Sequence, residues 1–89
     1  MATYIVSYDL NAPGQHYSEL YDYLKSSGTW WHNLDSTWLV VTSLSAAELR
    51  DGIQRHIDSN DKVLVVQTAG VGAWYGISES GSTWLKEQL

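Results

Sequence analysis

The chain has 89 residues, no cysteine, and ten acidic against five basic side chains for a formal net charge of −5. A chain this short holds one modest core, and the lack of cysteine excludes a disulfide framework and thiolate metal sites, so stability must come from packing or from association. Lys25, Arg50, Arg55, Lys62 and Lys86 are scattered along the sequence, which argues against extended nucleic-acid binding, since that normally relies on clustered cations at the phosphates. No stretch approaches the ~20 apolar residues of a membrane span, and Met1-Ala2-Thr3-Tyr4 does not read as a signal peptide; a cytoplasmic protein with no membrane partner is expected.

In chain order, Thr3 to Leu10 is rich in β-formers with apolar residues on both alternating sets, the pattern of a central strand covered on both faces. Asn11-Ala12-Pro13-Gly14 reads as a turn. Tyr17, Leu20, Tyr21 and Leu24 then recur at i, i+3, i+4 and i+7, predicting an amphipathic helix that stops at Ser26-Ser27-Gly28. Thr29–Asn33 and Thr37–Thr42 are two β-rich runs joined by Leu34-Asp35-Ser36, which predicts a hairpin. Ser45-Ala46-Ala47-Glu48 has the form of a capping box. It opens a second helix with Leu49, Ile53 and Ile57 on one face, ending near Ser59-Asn60, with Gly52 turned to the sheet for a close approach. Val63 to Thr68 reads as a buried strand. Gly70 and Gly72 bend the chain before Ala73-Trp74-Tyr75-Gly76-Ile77, a short fifth strand, and Ser78 to Leu89 carries only a weak helical turn around Trp84-Leu85.

Right-handed crossovers and the hairpin convert this order into a single ferredoxin-like α+β domain over residues 1–89, β-α-β-β-α-β with a short extra C-terminal strand. The expected sheet has four antiparallel strands with two helices on one face. Its other face, apolar and aromatic, then needs a cover, and a homodimer packed sheet to sheet supplies one.

Five Trp and six Tyr with no Phe give every large ring a hydrogen-bonding edge, as at interfaces and ligand platforms. Trp30, Trp31, His32 and Trp38 should cluster if residues 29–42 form the hairpin. A base could stack there while His32, Ser36 or Thr37 reads its edge or a phosphate, or the same rings could pack against a partner. Pro13-Gly14-Gln15, entering the first helix, offers backbone amides for a phosphate. With Tyr8, Gly14, Gln15, Tyr17, Arg50 and Trp74 these residues make up the candidate ligand site. His16 and His56 sit at no metal spacing, and no cofactor is expected on this reading.

The opening strand ending Tyr8-Asp9-Leu10, the helix, the hairpin, the second helix, Asp61-Lys62-Val63 and a short strand that looks exchanged between subunits resemble the small CRISPR-associated endoribonuclease family, the dimeric partner of the spacer integrase. More closely, Tyr-Asp-Leu-x-x-Pro-Gly (8–14), Trp-Trp-His-x-Leu-Asp-Ser-Thr-Trp (30–38), Arg50-Asp51 and Ala73-Trp74-Tyr75-Gly76 resemble the small phage and bacterial proteins labelled "SinR family", over nearly the whole chain. The first resemblance implies that Asp9 pairs with its two-fold mate around Mg²⁺ in a metal-dependent endoribonuclease; the residues alone favour Asp9 as a cap of the next turn or of the helix start near Gly14-Gln15. The second implies a phage setting, in which a homodimeric binding protein for a nucleotide-type ligand could sequester an immune signal such as a cyclic nucleotide. A protein-interaction module using the same aromatic residues is the remaining alternative.

Overall fold

The computed structural model describes residues 1–11 and 17–89. The elements are β1 (Ala2–Asp9), α1 (Ser18–Ser26), β2 (Thr29–Leu34), β3 (Thr37–Thr42), α2 (Ala46–Gln54), β4 (Lys62–Gln67) and α3 (Glu79–Gln88). The strands form one sheet in the order β2-β3-β1-β4, and every neighbouring pair is antiparallel. The layout is compatible with a ferredoxin-like arrangement.

Side chains alternate across a strand, and that alternation builds two cores. On one face Tyr4, Val6 and Tyr8 of β1 and Trp38 and Val40 of β3 meet Leu20 and Leu24 of α1 and Leu49 and Ile53 of α2. Seven of these apolar side chains are fully enclosed, and at about 25 cal/mol per Å² of apolar surface they supply most of the driving force for folding. The Ser45 hydroxyl accepts from the Glu48 amide while the Glu48 carboxylate accepts from the Ser45 amide, completing the capping box. α2 ends at Gln54, earlier than the sequence suggests, which leaves Ile57 in the following turn. A Cβ on Gly52 would overlap the Tyr23 hydroxyl; the close approach that this glycine permits is to α1, not to the sheet.

The second core corrects the sequence reading. Ala73–Ile77 is irregular rather than a fifth strand, and the tail is a ten-residue helix, α3, rather than a weak turn. Ser78 starts it by accepting from the Gly81 amide. Leu85 then packs on Trp31 and Leu39 with Trp74, Ile77, Trp84 and Leu89 around them. The tail chooses helix because helical spacing delivers Leu85 and Leu89 to that patch, while Ala73–Ile77 has no strand beside it. α1 and α2 do lie on one face as expected, but the face assigned wholly to a partner is covered by α3 over β2 and β3. Its β1 and β4 half stays open, with Ile5, Leu64 and Val66 exposed.

Candidate functional site

The aromatic hairpin splits across the sheet. Trp30, His32 and Trp38 lie on the helix side: His32 stacks on Trp38 at a centroid distance of 3.9 Å and 13°, Trp30 tilts against it at 5.4 Å, and Tyr21 stacks on it at 6.1 Å. Trp31, one residue out of phase, points to the opposite face, where its indole N–H donates to the Gly81 carbonyl at 3.1 Å. The expected four-ring cluster therefore has three of its members, joined by Tyr21. Trp38 is 1% exposed and forms the floor of this stack, while Trp30 and His32, which lie against it, are exposed. Its N–H donates to the Tyr8 hydroxyl at 3.0 Å, and Tyr8 donates to the Asp35 carbonyl at 3.4 Å. Burial pushes the Tyr8 phenol above its ordinary range, and the bond from Trp38 only partly opposes it. Trp30 remains accessible, with the Lys25 ammonium 5.3 Å from its ring centre.

The other candidate residues scatter. Gly14 and Gln15, with the amides expected to hold a phosphate, and His16 lie outside the described residues. Tyr17 donates to the carboxylate of Asp61 at 2.9 Å. Ser36 sits in the hairpin turn, where its carbonyl accepts from the Tyr8 amide. Arg50 pairs with its neighbour Asp51 at 2.9 Å on the surface. His56 lies 3.6 Å from Glu19 and against the Tyr23 ring.

Three candidates do converge. Trp31, Thr37 and Trp74 line a groove of about 390 Å³ on the open face, with Ile5, Leu39 and Leu85 among its other walls. Trp74 is anchored by donation from its indole N–H to the Ser82 hydroxyl at 3.0 Å. Among the described residues no charged side chain lines the groove, so it suits a neutral planar or apolar group, and its volume falls within the usual small-ligand range of about 300–1,000 Å³.

Asp9 lies at the open-face end of β1, exposed. Its register partner on β4 is Lys62, and the two share a shallow pocket of about 190 Å³ with Ser7 and Leu64. α1 begins at Ser18 with Tyr17 as its N-cap residue; the turn and the Gly14-Gln15 positions that Asp9 was expected to cap lie outside the described residues. Among the described residues no group of three or more His, Asp or Glu gathers as a metal site.

Asp61 is the residue that motif reading passed over. Its carboxylate accepts from the Asn11 amide at 2.6 Å, the Asp58 amide at 2.7 Å and the Tyr17 hydroxyl. Desolvation, the largest single influence, pushes its pKa up, but the three donors together outweigh it and hold the carboxyl below the ordinary aspartate range. The signal was non-local, because Asn11, Tyr17 and Asp61 meet only when β1 and β4 pair. Lys62 was missed for the same reason.

No family model matches the chain, and no solved structure gives a significant match to it. No helix among the described residues is long and apolar enough to cross a membrane.

Proposed function

We propose that this chain is a homodimeric binding module for a nucleotide-type ligand, with its working surface on the sheet face opposite α1 and α2. The observation that carries the reading is the division of that face. Its β2 and β3 half is sealed by α3, and its β1 and β4 half leaves Ile5, Leu64 and Val66 exposed beside a neutral aromatic groove. Exposed apolar residues gathered on one surface mark an interaction site, and a second copy supplies a cover of matching apolarity. The groove takes the base, held against Trp74 and Trp31, because it has room and no charge. Sequestration of a cyclic nucleotide is one use to which such a module could be put.

The test is calorimetry across a panel of mono-, di- and cyclic nucleotides, with Trp74→Ala as the variant. Loss of a base-stacking ring should weaken binding by about 1–3 kcal/mol. A wild-type protein that binds no member of the panel contradicts the ligand part of the reading.

The endoribonuclease reading draws support from one specific observation: Asp9 is exposed on the same open face, so a partner packed there can bring a second Asp9 toward it, and Lys62 beside each could meet a phosphate. Two such carboxylates suit Mg²⁺. On that reading Asp9→Asn removes magnesium-dependent RNA cleavage while the melting temperature holds; absence of cleavage by the wild type with magnesium or manganese contradicts it.

A further inference from the structure

β4 is an edge strand, and its backbone can be phased. The Thr68 amide donates to the Thr3 carbonyl at 2.8 Å, which continues the register Tyr4 to Gln67 and Ile5 to Val66. Antiparallel ladders alternate, so Val66, Leu64 and Lys62 also turn their backbone groups toward β1. The amides and carbonyls of Val63, Val65 and Gln67 therefore point away from the sheet.

Natural edges are usually blunted by proline, a bulge, an inward charge or a covering element. β4 has no proline and an unbroken register against β1, and Lys62 at its first position is its sole charge. α2 does not close the edge either. Spaces of about 400 and 360 Å³ lie between that helix and β4, the first lined by Ala46, Ala47, Arg50, Val63, Leu64 and Val65. Arg50 is already neutralised by Asp51, so it presents no unpaired charge to an approaching strand.

We infer that β4 pairs antiparallel with β4 of a second copy about a two-fold axis through Val65, a self-association surface distinct from the open face. The register is fixed by the phasing above. Val65 lies opposite Val65 of the partner subunit, and Val63 opposite Gln67 of the partner subunit, so every outward amide and carbonyl in this stretch gains a partner. Leu64 then faces Val66 of the partner subunit on the open face, joining the exposed apolar residues of both copies into one continuous strip. A foreign peptide could use the same edge, but β4 is its own complement. Both of its faces are apolar, its outward groups alternate correctly about Val65, and an isologous contact needs no further sequence.

The test is amide hydrogen exchange of the wild type at micromolar and near-millimolar concentration, with light scattering on the same samples. The inference expects the Val63, Val65 and Gln67 amides to become protected together as the chain associates. Val65→Pro deletes the central outward N–H without touching the β1 ladder, and it should abolish protection at Val63 and Gln67. Protein that self-associates while these three amides stay unprotected overturns the edge inference and leaves the open-face dimer standing. Protein that stays at the monomer mass throughout overturns both. Protection already present in samples that scatter as a single chain also overturns it, since it would place the partner of β4 within the same chain.

Discussion

At the scale of single residues, the buried polar edges of the aromatic side chains are what make this core specific. Trp38 fills the centre of the helix-side core and has its only indole donor satisfied by Tyr8. Trp38→Ala empties a fully enclosed site and should cost about 3–5 kcal/mol in chemical denaturation. Tyr8→Phe leaves the indole N–H buried without an acceptor, a loss of about 1–3 kcal/mol. The pairing makes the two effects sub-additive, so a double variant should lose less than their sum. Asp61 acts differently, as a clasp between the end of β1, the start of α1 and the turn before β4. Its folded pKa is depressed, so its contribution is present above the unfolded value of about 3.9 and disappears as pH falls through the folded value. Asp61→Asn should lower the melting temperature at pH 7, and the gap from wild type should close in strong acid. A gap that stays constant from pH 7 to pH 2 would show that the charge is not what holds the clasp.

At the scale of elements, what could be read from the sequence divides cleanly by range. α2 is announced locally, by Ser45 and Glu48 three residues apart, and the structure has the capping box in full. β1, the hairpin and β4 follow from runs of β-formers within a few residues and their bounds move by a residue or so, but the continuous apolar run of β4 makes an edge strand with no buried residue, not the buried strand expected. α3 was missed because its reasons are distant. Gly81 sits inside it, serine and threonine dilute its apolar stripe, and Leu85 gains its place only from Trp31 and Leu39 across the chain. The aromatic hairpin was misassigned for a related reason: Trp30 and Trp31 are adjacent in sequence but on opposite faces of a pleated strand. Leu85→Ala should therefore cost about 2–5 kcal/mol and shift the emission of the Trp31 region to the red as water reaches it. If emission is unchanged, α3 does not seal that half of the face.

At the scale of the whole molecule, the candidate site was only partly legible. Trp31, Thr37 and Trp74 meet in the groove, whereas Trp30, His32 and Trp38 gather on the other face, Trp38 buried and Trp30 and His32 exposed. What organises the surface is the shortage of cover. The described residues supply three helices for two sheet faces, and the third packs over β2 and β3 and meets β1 at its start, where the Thr3 hydroxyl donates to the Gln88 carbonyl at 2.6 Å. The exposed Ile5, Leu64 and Val66 are what remains, and a partner there contributes burial that the single chain lacks. Ile5 is in the interior strand β1, away from the edge, so Ile5→Lys strikes the face alone and leaves the β4 backbone intact. Light scattering at micromolar concentration on the wild type and Ile5→Lys decides whether that face is an interface. An open-face dimer gives twice the 10.0 kDa chain mass or more for the wild type and a smaller assembly for the variant; a wild type that scatters as a single chain rules that dimer out.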